Sequence, residues 1–267
     1  MLSIAPPSPM PMFRGTRPRK RWRYVAAFCE QLMMCAAVVQ VGPARQSFWA
    51  VLSREDGQLR ERTHTLMRRG AVELAPGRLR VHDRGAALDL ALEEDDGIQA
   101  RCQHGRGQVW TRKQAGIRVH GTVALDGGPA RPVAGLAVVD DTAGHHARVT
   151  EWRWAAGVGV DPAGTALAFN LVAGVNDPPT GSERAVWVAG TPHEVGPVSF
   201  AADLSRITAA DGSLLRFGAE AQRARRENLL LARSEYRAPF GTFSGALPGG
   251  IELARGMGVV EHHRAVW

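Results

Sequence analysis

GIRVHGTVALDGGP, residues 116–129, alternates apolar and polar side chains and then stops at a turn. The apolar positions are every second residue apart from Gly121: Ile117, Val119, Val123 and Leu125. Neighbouring side chains of a strand point to opposite faces, so this pattern predicts a strand that buries one face and leaves the other in water. The DGGP that follows consists of turn-forming residues and predicts the end of the strand.

The same period of two recurs along the chain. It appears in RGAALDLALEED (84–95), VTEWRW (149–154) and TALAFNLV (165–172). Turn signals separate such segments: DPAG at 161–164, NDPPTG at 176–181, AGTP at 189–192, DG at 211–212 and LPGG at 247–250. Strands at this spacing predict an all-β protein with antiparallel, lipocalin-like or sandwich-like sheets and few short helices.

Two segments, 24–41 and 219–236, contain neither Gly nor Pro and carry many good helix formers. Propensity alone favours helices there. Because all their neighbours indicate strands, we predict strand pairs instead. The turns are expected near Glu30-Gln31 in the first segment and near Arg226-Glu227-Asn228 in the second.

The 267 residues are enough for one large all-β domain or two smaller ones. We predict a flexible Pro-rich basic tail over 1–18, an N-terminal β half over 19–135 and a C-terminal β half over 136–267. One continuous domain is the alternative. No internal repeat is evident in the sequence.

The net charge of +7 comes from the N-terminal segment. Of the 33 lysines and arginines, six precede the first acid, Glu30, which leaves 27 against 26 acidic residues. A DNA-binding surface needs clustered cations, so no nucleic-acid partner is predicted. The basic segment is interpreted as a solvated tail, and a structural or interaction role for it is the alternative. Lysine occurs only at positions 20 and 113, which we interpret as an arginine-rich genomic bias.

The cysteines Cys29, Cys35 and Cys102 are an odd number without a C-x-x-C pair, which predicts reduced thiols. Prolines interrupt the N-terminal positions where a secretion signal needs a continuous apolar run. No segment reaches the roughly 18–20 apolar residues of a membrane span. These features predict a cytoplasmic protein without a transmembrane segment, and nothing in the sequence indicates an oligomeric state.

Several blocks rich in aromatic residues and glycine follow one another along the chain: VWTRKQAGIRVHGTV (109–123), DDTAGHHARVTEWRWAAGVG (140–159), LAFNLVAGVNDPPTGSERAVWVAG (167–190), YRAPFGTFSG (236–245) and GMGVVEHH (256–263). Their order resembles the domain of unknown function (DUF) 2804 family from about Arg17 to the C-terminus. The family supplies no catalytic residues. The W-x-W and N-x-x-x-G blocks are also similar to lipocalin-like double-barrel proteins, which include carotenoid hydratases and tocopherol-cyclase-like enzymes. That second likeness implies a fold and not an activity.

The first functional hypothesis is the binding of a lipophilic small molecule in an apolar pocket. Trp152 and Trp154 are two residues apart and share one strand face, where they would line the pocket with Phe169 and the polar Asn170. Packing of the two tryptophans in a core is the alternative.

The second hypothesis is an acid-catalysed hydratase or cyclase that acts on an isoprenoid-like substrate. It needs an acid that projects into an apolar cavity, and the candidates are Glu151, Glu183, Glu261 and His262. The sequence does not rank them, because it does not show which strand faces point inward. Pairing of Glu183 with the adjacent Arg184 as scaffolding is the alternative for that residue.

The C-terminal segment GVVEHHRAVW (258–267) completes the picture. Adjacent side chains of a strand diverge, so His262 and His263 cannot both serve one metal ion, and we predict neither a metal nor a cofactor. Instead, one histidine is expected to form a hydrogen bond in a polar cluster that offers Glu261 as a partner. The strand is predicted to be ordered to a packed Trp267 beside the VTEWRW block.

Overall fold

The computed structural model describes residues 6, 9–65, 70–229 and 232–266. Within these residues the chain forms antiparallel strands and no helix, so the predicted all-β fold is confirmed. The short helices that were also expected are not seen among them. No helix in the described part of the chain is long and apolar enough to cross a membrane.

The chain divides into two compact units. Unit 1 comprises Met1–Gly97 and Trp110–His145, and unit 2 comprises Ile98–Val109 and His146–Trp267. The boundary predicted after residue 135 falls inside a strand, Arg131–Gly144, which continues without a break. The changeover therefore lies about ten residues later than the sequence suggested, and unit 2 also takes a hairpin from the first half of the chain.

The N-terminal segment is partly structured. Strands β1 (Phe13–Arg14) and β2 (Arg17–Pro18) form a small hairpin through a turn at Gly15. The prediction of a flexible tail over 1–18 thus differs from the structure at residues 13–18. Residues 1–5, 7 and 8 lie outside the described residues.

Unit 1 contains one large sheet that curls around a hydrophobic core. Its strands are β3 (Lys20–Phe28), β4 (Leu32–Val41), β5 (Ala44–Ser53), β6 (Gln58–His64), β7 (Val72–Ala75), β8 (Arg78–Asp83), β9 (Ala86–Leu92), β11 (Gly107–Leu125) and β12 (Arg131–Gly144). Their order along the sheet is β6-β5-β4-β3-β12-β11-β9-β8-β7. Strand β10 (Ile98–His104) belongs to unit 2. The predicted alternation is present in β9, where Leu88, Leu90 and Leu92 are buried in the core.

Unit 2 is built on a second sheet. Its strands are β13 (Val149–Val160), β14 (Ala166–Ala173), β15 (Ala185–Val188), β16 (Thr191–Glu194), β17 (Val198–Phe200), β18 (Arg206–Ala209), β19 (Leu214–Leu229), β20 (Ala232–Leu247) and β21 (Ile251–Val266). Their order is β16-β15-β14-β13-β21-β20-β19-β18-β17. Phe243 lies at the centre of its core, with ring centroids 5.0 Å from Phe169 and 4.6 Å from Phe217.

The two sheets have the same strand order, taken in the same sequence along the chain. In each, the first long strand pairs with the last one: β3 with β12, and β13 with β21. The paired segments are also alike, with WRYVAA (22–27) matching WRWAAG (152–157) and VVDDT (138–142) matching VVEHH (259–263). The chain therefore contains an internal repeat, which the sequence analysis missed because only these short segments preserve it.

Both segments with ambiguous propensity form strand pairs. The first segment forms β3 and β4 with a turn at residues 29–31, as predicted. The second forms β19 and β20, but the turn predicted at 226–228 was wrong, because β19 continues to Leu229. Cross-strand pairing on both edges thus overrides helix propensity. The C-terminal β21 lies between β13 and β20, beside the VTEWRW block as expected, and Trp267 is outside the described residues.

Candidate functional site

Four candidate side chains of unit 2, namely Trp152, Trp154, Glu261 and His263, share one face of its sheet. The register between β13 and β21 places Trp152 opposite His263 and Trp154 opposite Glu261. Opposite partners on antiparallel strands point to the same side. The alternate residues of these strands, including Ala155 and Val260, belong to the hydrophobic core of unit 2. We call the side with the two tryptophans the Trp152 face.

An indole–carboxylate hydrogen bond and three rings in contact with one another organise the Trp152 face. Trp152 donates from Nε1 to Oε1 of the buried Glu261 at 2.7 Å. The ring of His263 lies 4.3 Å from the Trp152 ring, and Tyr236 meets His263 edge-on at 5.4 Å. The face is therefore aromatic, with one carboxylate held at a fixed position.

His263 is a neutral imidazole in this setting. Burial, followed by the charge of the nearby His262, lowers its pKa to about 3. Its Nε2 is 2.8 Å from Oγ of Ser234, a hydrogen bond in which the hydroxyl can donate to a neutral ring. The expected hydrogen bond of a C-terminal histidine is thus present, and its partner is Ser234, not Glu261.

Trp154, Asn170 and Glu183 form a second hydrogen-bonded line on the same side of the sheet. Trp154 donates from Nε1 to Oδ1 of Asn170 at 2.7 Å, and Asn170 donates from Nδ2 to the backbone oxygen of Glu183 at 2.8 Å. The Glu183 side chain accepts from Nδ2 of Asn176 at 2.9 Å. These hydrogen bonds between buried polar groups fix the loop after β14 to the sheet.

The same loop, between β14 and β15, is also fixed by Arg184, which is fully buried. Its guanidinium donates to the backbone oxygens of Asp177 at 3.0 Å and Pro178 at 2.6 Å. Burial lowers the pKa of this arginine. Arg184 therefore holds the loop through carbonyl groups, whereas the sequence analysis considered a direct pair with Glu183.

Phe169 is placed apart from the two tryptophans. It lies opposite Gly157 in the β13–β14 pairing, is fully buried and belongs to the core of unit 2. Trp154 and Asn170 occupy the other face of the same strands. The structure thus brings Trp152, Trp154 and Asn170 to one side of the sheet and Phe169 to the other.

Glu151 and His262 lie outside the Trp152 face. Oε1 of Glu151 is 2.9 Å from Nε2 of His262. Both residues lie near Arg153 and Arg264 on the opposite face of the sheet, at its solvent-exposed end. The hydrogen bond from His262 and these charges lower the pKa of Glu151. Glu151 is an ionised surface acid, which is the reverse of what a proton donor at neutral pH requires.

Sequence reasoning missed two groups in unit 1. The first repeats the Trp152 face: Trp22 donates from Nε1 to Oδ2 of Asp140 at 2.9 Å, and Lys113 contacts Oδ1 of the same carboxylate at 2.8 Å. The match between WRY and WRW was the available signal. The second is a buried charge cluster of Arg23, Glu94, Arg112 and Asp141. No signal pointed to it, because its members come from distant segments.

One hollow in unit 1 is polar. Its volume is about 810 Å³, and its lining includes Trp49, Arg60, Arg62, Asp83 and Asp126. The buried Asp83 accepts hydrogen bonds there from Trp49 at 2.8 Å and His64 at 2.8 Å. None of the predicted site residues lines this hollow. Within the described residues no group of His, Cys, Asp or Glu side chains could hold a metal ion.

Two solved structures share this all-β fold, which is that of lipocalin-like double-barrel proteins. A protein of Nitrosomonas europaea assigned as AttH has a TM-score of 0.55 at 14% identity, over 98% of this chain and 99% of that one. Kievitone hydratase of Nectria haematococca has a TM-score of 0.59 at 12% identity, over 91% of this chain and 88% of that one. At these identities the likeness concerns the fold.

The chain belongs to the domain of unknown function (DUF) 2804 family, whose model matches residues 88–267. The resemblance seen in the sequence is thereby confirmed. A comparison with curated proteins gives no match.

Proposed function

We propose that unit 2 binds a lipophilic small molecule at the Trp152 face. The observation that supports this most is the contact of the Trp152, His263 and Tyr236 rings, with Glu261 hydrogen-bonded to Trp152, on the side of the sheet away from the core of the unit. Ligand sites for apolar molecules combine aromatic walls with a few fixed polar groups. Glu261 and Ser234 supply such groups, and the neutral His263 adds no charge that an apolar ligand would have to compensate.

Native mass spectrometry of freshly purified protein tests this proposal. We expect a bound species in the lipid or isoprenoid mass range, and Trp152→Ala should reduce its occupancy at least tenfold. The matched control is Trp49→Phe, a buried tryptophan of unit 1, which should keep the ligand. A protein that is repeatedly empty, and whose tryptophan fluorescence does not respond to added lipids, would overturn the proposal.

A second candidate is acid catalysis by Glu261 on an isoprenoid-like substrate. The observation that favours it is a carboxylate that is buried beside aromatic rings, and the fold likeness to a hydratase is consistent with it. In such a reaction Glu261 would give a proton to an alkene carbon, water would add to the resulting cation, and the protonated alcohol would return a proton to the Glu261 carboxylate. Glu151 is unsuited to this role because its neighbours keep it ionised.

One variant separates the two candidates. Glu261→Gln keeps a hydrogen-bond acceptor for Trp152 but has no acidic proton. Incubation with farnesol in ¹⁸O-water should show mass gain with the wild type and none with this variant if the protein is a hydratase. A simple binder gives no mass gain with either protein and retains the ligand in both.

A cytoplasmic location is also proposed. It rests on three buried cysteines that form no disulfide, Cys29, Cys35 and Cys102. Fractionation of cells that express a tagged full chain tests it, and recovery of the protein outside the cytoplasmic fraction would overturn it.

A further inference from the structure

The chain uses lysine at two places only, and both are buried. Lys20 and Lys113 are the sole lysines among 33 basic residues, and their exposed fractions are 2% and 3%. Lysine is ordinarily a surface residue and is rarely buried. An arginine-rich genomic bias accounts for the scarcity of lysine, but it does not explain why the two that remain lie inside unit 1.

Both lysines belong to the same face of the unit 1 sheet. Lys20, Trp22 and Tyr24 are alternate residues of β3, and Tyr24 lies opposite Asp140 of β12. Lys113 reaches this side because its Nζ is 2.8 Å from Oδ1 of Asp140. Trp22 donates to the other oxygen of that carboxylate at 2.9 Å. We call this side the Trp22 face.

The internal repeat makes the Trp22 face the counterpart of the Trp152 face. Trp22 and Asp140 occupy the positions of Trp152 and Glu261, and the two indole–carboxylate hydrogen bonds are alike. The other positions differ in chemistry. Thr142 stands in place of His263, and alignment of TRKQAG (111–116) with YRAPFG (236–241) puts Lys113 in place of an alanine. The unit 1 face therefore carries two primary amines that the unit 2 face lacks, and it lacks the imidazole of His263.

A primary amine can do what a guanidinium cannot. Arginine stays protonated at any physiological pH, whereas a buried lysine can lose its proton and become a nucleophile. Burial, followed by the charge of Arg17, lowers the pKa of Lys20 to about 7. At neutral pH a large share of Lys20 side chains is therefore uncharged.

We propose that the Trp22 face is a second site, that its ligand is an aldehyde or a ketone, and that Lys20 forms an imine with it. The lone pair of Nζ attacks the carbonyl carbon, and the displaced π pair of the C=O bond takes up a proton on oxygen. Loss of this oxygen as water, together with the amine proton, leaves the C=N bond, so the step needs no oxidant or reductant. The Lys113 ammonium, held by Asp140, lies on the same face. This proposal concerns unit 1 and does not depend on a ligand in unit 2.

Reductive trapping tests the proposal on the intact full chain. The protein is incubated with cinnamaldehyde and sodium cyanoborohydride, digested and mapped by mass spectrometry. Only three amines can react, namely Lys20, Lys113 and the N-terminus, so each adduct has one assignment. We expect Lys20 to be labelled at pH 7 at least tenfold faster than Lys113, with a rate that reaches half of its maximum near pH 7.

Three comparisons make the result decisive. In guanidinium chloride the two lysines should react at equal rates, because only the folded protein distinguishes them. Lys20→Arg should remove the fast adduct while circular dichroism stays unchanged. Trp152→Phe alters the unit 2 site and should leave the labelling of Lys20 as in the wild type. Labelling of Lys20 in the folded protein no faster than that of Lys113, or an unreactive Lys20, overturns the proposal even if Lys20→Arg fails to fold.

Discussion

Trp152 and Glu261 are 109 residues apart in sequence and meet through a 2.7 Å hydrogen bond from the indole nitrogen to the carboxylate. The contact joins β13 and β21, the first and last strands of the second sheet, and Trp22 and Asp140 repeat it in unit 1. The same hydrogen bond thus occurs in both units, with different side chains around it. It can stabilise the fold in both units and also contribute to a ligand site in one of them. Unfolding experiments measure the contribution to stability, and binding experiments measure the contribution to a ligand site.

Removal of the carboxylate partner should destabilise unit 2. Glu261→Ala leaves the Trp152 indole without this acceptor in a buried setting, which typically costs about 1–3 kcal/mol. Urea unfolding followed by tryptophan fluorescence measures the change. Glu151→Ala, at the exposed end of the neighbouring face, is the control and should change the free energy of unfolding by less than about 1 kcal/mol. An equal decrease in the free energy of unfolding in both variants would show that the hydrogen bond with Trp152 contributes no more to stability than a surface contact does.

The free energy of unfolding should decrease as the pH falls below the pKa that His263 has in the unfolded chain. The ordinary pKa of 6.5 applies to His263 in the unfolded chain, whereas burial lowers it to about 3 in the folded protein. At a pH between these two pKa values, His263 binds a proton in the unfolded state but not in the folded state, so stability decreases as the pH falls. From pH 7 to 5 the contribution is on the order of 1–2 kcal/mol.

Unfolding curves of the wild type and His263→Gln at the two pH values isolate this contribution. The variant should lose less stability than the wild type on acidification. His193→Gln, which replaces an exposed histidine, should keep the wild-type dependence. A wild-type slope in His263→Gln would mean that other groups cause the acid sensitivity.

The buried charge cluster of unit 1 should respond strongly to the loss of one charge. Asp141 accepts from Arg23 at 2.7 Å and from Arg112 at 2.9 Å, and these side chains are almost fully buried. Asp141→Asn leaves buried positive charge without compensation and should cost about 3–5 kcal/mol. The control Asp89→Asn breaks an ion pair with Arg78 that is about half exposed and should have a much smaller effect on the thermal midpoint. Similar shifts would contradict this account.

Gly157 should resist even the smallest side chain. A Cβ at this position would lie 2.7 Å from the backbone oxygen of Met257 and 2.7 Å from the Phe169 ring. Gly157→Ala should therefore destabilise unit 2 by about 1–3 kcal/mol, the usual cost of overpacking. Gly196→Ala places a Cβ in open space and should be close to neutral. Calorimetric midpoints of the two variants check this difference.

The fold was readable because period-two patterning and turn residues are local signals. The spacing of Leu88, Leu90 and Leu92 at every second residue is enough to predict that they share a buried face. The sides of the sheet were harder to assign, since both faces are buried and a tryptophan suits either. Phe169 and Trp154 look alike in sequence, yet pairing with Gly157 and Val172 sends them to opposite faces.

The chemistry of the site was less accessible still, because it depends on contacts over long sequence distances. Glu261 was a candidate from its type, but its hydrogen bond with Trp152 required the register of two distant strands. Lys20 and Lys113 were noticed only as exceptions to the use of arginine. Their shared face follows from strand pairing, which no local pattern reports.

The pairing of β3 with β12 also has a consequence for synthesis of the chain. Trp22 cannot meet Asp140 until 118 further residues have been made. At about 5–20 residues per second, that takes roughly 6–24 s on the ribosome. During this time the β3–β4 hairpin, with its run of apolar residues from Leu32 to Val39, has no partner strand on its β3 side. Such an open edge invites pairing with other nascent chains, so chaperone supply and translation speed should determine how much folded protein a cell obtains.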